Sequence, residues 1–290
     1  MDTLPVGQGL EAFIGTIWHS EALELLRSLP DNSVDMILTS PPYDNLRTYK
    51  GFTWDFEAIA KEAYRVLKDG GVLVWVVGDA TVKGSETLTS FRQALYFVDT
   101  CGFRMHDTMI YQKDGSPFPE SNRYQNEFEY MFVLSKGKPK TFNGLRDKTK
   151  YGGSASSTTR DEKGRISNFA YAYGHDTKLI GNVWQINSGY MKSTMDLNAY
   201  QHPAIFPELL AERHILSWSN ENDIVLDFFS GSGTTAKIAR NLNRRFIAGD
   251  LSLEYCEIAR QRLLNTDPFE STMFKSGDIQ LSLFKDMKPE

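Results

Sequence analysis

Ser40-Pro41-Pro42-Tyr43 follows directly on the apolar run Val34–Thr39. It sets a hydroxyl acceptor, two rigid residues and an aromatic plate at the end of a predicted buried strand. Proline fixes φ and carries no N–H, so the Ser40 and Pro41 carbonyls are held in place without an internal donor to quench them. In open α/β sheets ligands bind outside the carboxyl ends of strands, which is where this tetrapeptide falls. A flat base stacked on Tyr43, with its amino group turned to those oxygens, suits the arrangement. A Pro-Pro turn that merely ends a strand is the competing reading, and the tetrapeptide alone does not choose between them.

A second constellation is Phe229-Ser230-Gly231-Ser232-Gly233-Thr234. It is predicted to join a strand at 224–229 to a helix at 234–243, with glycines that allow a tight turn and a close approach of backbone to ligand. The next predicted strand, Arg245–Asp250, ends in an acid 17 residues after Gly233. That spacing suits a carboxylate hydrogen-bonding ribose hydroxyls in a nucleoside-binding α/β unit. Gly233 is followed by Thr234 rather than the lysine of a phosphate-binding P-loop, which argues against an NTPase. Ala236 stands where a dinucleotide fingerprint has its third glycine, and residues for hydride transfer are not evident. Asp227, just before the loop, suits a cofactor ammonium group. An ammonium and a ribose held separately in this way fit S-adenosylmethionine.

Alternating helical and apolar patterns must carry these residues. Strands are predicted at Ile14–Trp18, Val34–Thr39, Val72–Val77, 103–111, 128–134, 224–229 and Arg245–Asp250. Between them fall helices at 20–29, capped by Ser20; at 56–67, capped by Asp55 and ended by Gly70-Gly71; and at 88–101. Further helices are expected at 207–218, 234–243 and Leu253–Leu264. Val72–Val77 is apolar throughout, as a strand covered on both faces requires. Asp79, beyond its end, borders the site or is a plain loop acid.

Composition sets outer bounds. With 290 residues, 41% hydrophobic and 24% charged, the chain resembles a water-soluble globular protein of one large domain, or a domain with an insertion. No apolar run approaches the ~18 residues of a membrane span, and the polar start at 1–9 does not read as a signal peptide. Two isolated cysteines, Cys101 and Cys256, argue against a disulfide framework or a zinc site, so no metal and a reducing cytoplasm are expected. The net charge is −5, yet the stretch 136–165 is basic. It includes Lys138, Lys140, Arg146, Lys148, Lys150, Arg160, Lys163 and Arg165. Aromatic residues, among them Phe142, Tyr151, Tyr171, Trp184 and Tyr190, are interleaved from there to 200. A basic and aromatic segment on an acidic chain suits a local nucleic-acid surface, although a solvated loop has the same composition.

Taken together, the two constellations resemble the amino-group DNA methyltransferases that modify N4 of cytosine or N6 of adenine. Ser40–Tyr43 matches their catalytic signature, (Asn/Asp/Ser)-Pro-Pro-(Tyr/Phe), and Phe229–Gly233 matches Phe-x-Gly-x-Gly. His202-Pro203-Ala204-Ile205-Phe206-Pro207 resembles the helix-entry motif that precedes the cofactor loop. The catalytic signature comes first, the cofactor loop near the end, and the basic stretch between, as in the circularly permuted β class. The resemblance covers residues 13–264. Two departures stand out: Asp227-Phe228-Phe229 replaces the frequent Asp-Pro-Phe, and His19-Ser20 replaces a frequent Gly-Asp.

This resemblance implies a Rossmann-like α/β fold, with a mostly parallel sheet covered by helices on both faces. It implies a catalytic half at 10–137, an inserted target-recognition region at 138–200, a cofactor half at 201–266 and a tail at 267–290. Ser40, Pro41, Pro42 and Tyr43 would be catalytic. Asp227, Phe229, Ser230, Gly231, Ser232, Gly233, Thr234, Asp250 and His202 would bind S-adenosyl-L-methionine. The eight basic residues named above would face double-stranded DNA, from which the target base is flipped out. Serine in the signature is commoner in the cytosine-N4 branch, so cytosine N4 is expected. Adenine N6 stays open as an alternative, as does a catalytically silent DNA-binding subunit. Cytosine-C5 chemistry needs a cysteine nucleophile, and neither Cys101 nor Cys256 follows a proline or occupies a strand-end loop. A homodimer and a cognate restriction endonuclease are further partners compatible with this reading.

Overall fold

The computed structural model describes residues 4–42, 54–114, 122–148, 154–172, 177–190, 192–201 and 205–264. One eight-stranded sheet organises most of them. Its strands are β1 (Ile17–His19), β2 (Val34–Thr39), β3 (Leu67–Val77), β4 (Arg104–Gln112), β5 (Phe128–Ser135), β6 (Val183–Gln185), β7 (Ile224–Asp227) and β8 (Arg245–Asp250). Their order across the sheet is β1-β8-β7-β2-β3-β5-β4-β6. Every neighbouring pair is parallel except the two that involve β5. The carboxyl ends of β1, β8, β7, β2 and β3 therefore lie along one edge of the sheet.

The helices are α1 (Ala22–Ser28), α2 (Phe56–Val66), α3 (Thr89–Asp99), α4 (Glu208–Trp218), α5 (Thr234–Asn241) and α6 (Leu253–Leu264). Side chains alternate between faces along a strand, and β3 shows what that means here. Leu73, Trp75 and Val77 join Leu25, Ile59, Ala63 and Phe97 of the first three helices in one core cluster. Val72, Val74 and Val76 are just as buried on the other face, where α4 packs on β2 and β3. Two-sided burial explains why the Val72–Val77 part of β3 is apolar without alternation. No helix among the described residues is long and apolar enough to cross a membrane.

Residues 144–181 form a separate compact unit. Within it Ser154–Arg160 pairs antiparallel with Ile166–Ala172, and Arg146–Lys148 with Thr177–Leu179. The hairpin turns at Asp161, whose Oδ1 accepts from the Lys163 and Arg165 backbone N–H groups at 2.9 and 2.8 Å.

Two predicted features differ. Ser20 does not cap α1: the N-cap position is Glu21, without a side-chain bond, and Ser20 Oγ is buried with no partner. Gly70-Gly71 does not end α2. That helix stops at Val66, and the glycines already belong to β3, where a Cβ on Gly71 would lie 2.8 Å from the Asp35 carbonyl oxygen. The separately packed unit spans 144–181. Residues 138–143 and 182–201 belong with the large sheet, where Asn143 N–H bonds the Ser217 carbonyl and Val183–Gln185 runs beside β4.

Candidate active site

β2 and β7 are direct neighbours, with Met36 opposite Val225 and Ile37 opposite Leu226. Their carboxyl ends therefore deliver Thr39-Ser40-Pro41 and Asp227 to one place. Thr39 Oγ1 donates to Asp227 Oδ1 at 2.7 Å, and the Phe229 N–H donates to the same oxygen at 3.1 Å. One carboxylate oxygen thus links the residue before Ser40 to the entry of the glycine loop. Burial pushes the Asp227 carboxyl up to about 6, against the opposing pull of hydrogen bonds from Thr39, Thr235 and the Phe229 backbone. No cation pairs with it among the described residues. A buried acid surrounded only by neutral donors is suited to receive a cationic ligand group.

The loop after β7 turns through Gly231 and Gly233, at φ +48° and +77°, which L side chains rarely adopt. Gly233 also lies under α6, where a Cβ would fall 2.6 Å from that of Ala259. Asp250, at the end of β8, anchors the loop by accepting from Gly231 N–H at 2.9 Å with Oδ2. Its Oδ1 accepts from Ser252 N–H at 2.8 Å. Each oxygen keeps lone-pair capacity for a hydroxyl donor. Burial raises the Asp250 carboxyl, and those two backbone bonds oppose the rise. Ser230 Oγ is buried and has no hydrogen-bond partner. An orphaned hydroxyl and an uncompensated acid within one glycine loop fit a polar, cationic ligand such as S-adenosyl-L-methionine.

Two features have no signal in the sequence. Trp54 packs edge-on against Phe229, with centroids 5.2 Å apart, and tilts over Trp75 at 6.2 Å; an aromatic wall thus backs the loop entry. Arg262 of α6, fully buried, reaches the Ser232 carbonyl. Asp79 has a structural role, since its carboxylate accepts from both the N–H and the hydroxyl of Ser90 at the start of α3.

Of the predicted site residues, Ser40, Pro41, Pro42, Asp227, Phe229, Ser230, Gly231, Ser232, Gly233, Thr234 and Asp250 lie on carboxyl-end segments of adjacent strands. Tyr43, His202 and Lys150 lie outside the described residues. Lys138 and Lys140 do not join this end of the sheet. Lys140 N–H bonds the Gly70 carbonyl at 2.9 Å, which places both at the amino end of β3, away from Ser40. Arg146 is engaged within its own unit, bonding Thr177 Oγ1 and its carbonyl. Lys148, Arg160, Lys163 and Arg165 are exposed on that unit, Arg165 with Asp161 at 3.2 Å. Trp184 is buried and packs on His214 at 4.6 Å, so it belongs to the core rather than to a nucleic-acid surface. Tyr190 is exposed, 4.8 Å from Tyr200.

The chain is similar to known proteins. A family model described as DNA methylase matches residues 34–261. The orphan methyltransferase M.BamHII of Bacillus amyloliquefaciens is 54% identical over 243 residues, covering 82% of this chain and 91% of that protein. DNA adenine methyltransferase YhdJ of Escherichia coli K12 is 31% identical, covering 86% and 82% respectively. Among solved structures, the cytosine-N4-specific PvuII DNA methyltransferase superposes with a TM-score of 0.63 at 22% identity, covering 90% of this chain and 89% of its own; at that identity the likeness speaks for the fold. A DNA modification methylase of Thermus thermophilus, complexed with S-adenosyl-L-methionine, superposes with a TM-score of 0.58 at 26% identity, covering 86% and 92%.

Proposed function

The chain belongs to the DNA methylase family, whose N4 and N6 enzymes methylate exocyclic amino groups of DNA bases with S-adenosyl-L-methionine, and we propose that its target is N4 of cytosine. The Thr39–Asp227 bond, which ties the strand before Ser40-Pro41 to the entry of the glycine loop, supports transfer to an exocyclic amine, and the choice of base rests on the signature residue alone. Ser40 at the first signature position favours cytosine over adenine.

An exocyclic amine is a poor nucleophile because its lone pair is delocalised into the ring. Ser40 Oγ and the Pro41 carbonyl accept its two N–H bonds and favour a pyramidal nitrogen. When bound, the cofactor supplies a methyl group on a sulfonium, a leaving group that needs no acid. Alignment and fixed dipoles then provide most of the acceleration. The methylated nitrogen is cationic and sheds a proton readily, so no strong base is required. Tyr43 stacks on the flipped base. Asp227 takes the cofactor ammonium, Asp250 its ribose hydroxyls and Ser230 Oγ one further polar contact. Lys148, Arg160, Lys163 and Arg165 meet backbone phosphates, which position the duplex without reading its sequence.

Double-stranded DNA is the partner this reading requires. The orphan status of M.BamHII favours an enzyme that acts without a cognate restriction endonuclease. Digesting methylated duplex DNA to nucleosides and separating them by mass tests the target base.

A further inference from the structure

Arg262 is the only arginine among the fully buried large side chains of the described residues, at 1% exposure. It sits on α6, and its guanidinium is held by polar partners on three nitrogens. Nη1 donates to the Ser232 carbonyl at 2.6 Å and lies 3.1 Å from both Ser232 Oγ and Thr234 Oγ1. Nη2 donates to Glu208 Oε1 and Nε to Asp196 Oδ2, each at 2.9 Å. Glu208 Oε1 also accepts from Lys237 Nζ at 2.9 Å and from Thr194 Oγ1 at 2.7 Å. Lys237 Nζ is 3.5 Å from Asp196. Two cations and two anions thus balance one another beneath the glycine loop.

Stability is a weak explanation for such a cluster. Desolvating buried charges costs about as much as their attraction returns, and well-packed apolar residues often do as well. What an apolar side chain could not do is hold the Ser232 carbonyl. With Gly233 N–H bonded to the Ser230 carbonyl at 2.7 Å and Gly231 N–H to Asp250, the Arg262 bond fixes the remaining orientation of the loop. Its acidic partners come from different places in the chain: Glu208 starts α4, and Asp196 lies in the segment between β6 and α4.

We propose that Arg262 is a positioning residue for the cofactor loop, held in register by Glu208 and Asp196, so that cofactor affinity depends on the 193–201 stretch as well as on the loop. The proposal rests on Phe229–Gly233 being the cofactor loop. A preformed loop contributes equally to the ground and transition states, so its loss raises Kd and KM for the cofactor and leaves kcat at saturation nearly unchanged.

The test is calorimetric binding of S-adenosyl-L-methionine to the full chain, together with steady-state methylation of duplex DNA. Arg262→Met is expected to raise the cofactor Kd by about 30-fold or more, with kcat within about threefold. Arg262→Lys falls between, since a single ammonium cannot reproduce the guanidinium fork. Asp196→Asn, in which the Arg262–Glu208 pair is retained, raises Kd by about three- to tenfold. A cofactor Kd within twofold of the parent in Arg262→Lys and Asp196→Asn overturns the proposal, whatever the melting temperature does, and this pair decides the matter if Arg262→Met does not fold. Gly231→Val separates the two levels of the argument. If it leaves Kd unchanged, the loop assignment itself fails; if it raises Kd while the Arg262 and Asp196 variants do not, only the positioning role fails.

Discussion

Thr39 Oγ1 and Asp227 Oδ1 lie 2.7 Å apart across 188 residues of sequence. The bond joins the strand that presents Ser40 to the strand that opens the glycine loop, and both partners are buried. Thr39→Val keeps the shape and deletes the donor. A hydrogen bond to a buried charged group is worth about 1.5–3 kcal/mol. Urea unfolding at pH 7.5 should show a loss of that order, and a smaller one at pH 5, where the carboxyl is mostly protonated.

Asp227 should also write a pH dependence into cofactor binding. Its carboxyl titrates near 6 in the folded chain, above its ordinary value of 3.8. The folded state therefore holds this proton more tightly than the unfolded chain. The stability the group contributes is complete below its unfolded value and is lost as pH rises through about 6. A cationic ligand favours the ionised form, so cofactor affinity moves the opposite way. Kd should fall by about tenfold between pH 5 and pH 7, and Asp227→Asn should flatten that change in calorimetry.

Gly233 is constrained twice, by its φ of +77° and by the Ala259 Cβ at 2.6 Å from where its own would stand. The neighbour is a helix methyl with its Cα at 3.2 Å, which cannot rotate away. Gly233→Ala should cost about 1–3 kcal/mol from overpacking. Adding Ala259→Gly should recover part of that loss. A thermal-denaturation double-mutant cycle with no coupling between the two sites would contradict the contact.

Tyr43→Ala tests the stacking role assigned from the sequence. Base–aromatic stacking is worth roughly 1–3 kcal/mol per base, so kcat/KM on duplex DNA should fall by about 5- to 150-fold. Cofactor Kd should stay close to that of the parent. Equal losses in both would mean that Tyr43 serves the fold or the cofactor instead.

The parts of the molecule legible in its sequence are those where local chemistry decides local structure. Val34–Thr39 and Val72–Val77 read as strands because burial on both faces leaves almost no polar position, and Asp55 reads as a helix cap because its side chain does accept from Ala58 N–H at 3.1 Å. Between 138 and 200 the signal fails for a physical reason. The strand Ser154–Arg160 is built of Ser, Ala and Thr with a closing Arg, without apolar alternation, so nothing in its pattern distinguishes a strand from a solvated loop. Trp184, in a stretch where apolar residues are few and scattered, looks like a surface residue until β6 is laid beside β4. Arg262 is out of reach altogether, since the Asp196 carboxylate and Ser232 carbonyl it binds lie 66 and 30 residues away in sequence.

The most direct measurement of the central claim is the identity of the methylated nucleoside. Duplex DNA containing all four bases is incubated with the enzyme and S-adenosyl-L-methionine, digested, and resolved by mass. Ser40 at the first signature position predicts N4-methyl-2′-deoxycytidine, lost in Asp227→Ala. N6-methyl-2′-deoxyadenosine as the sole product would contradict the assignment to cytosine.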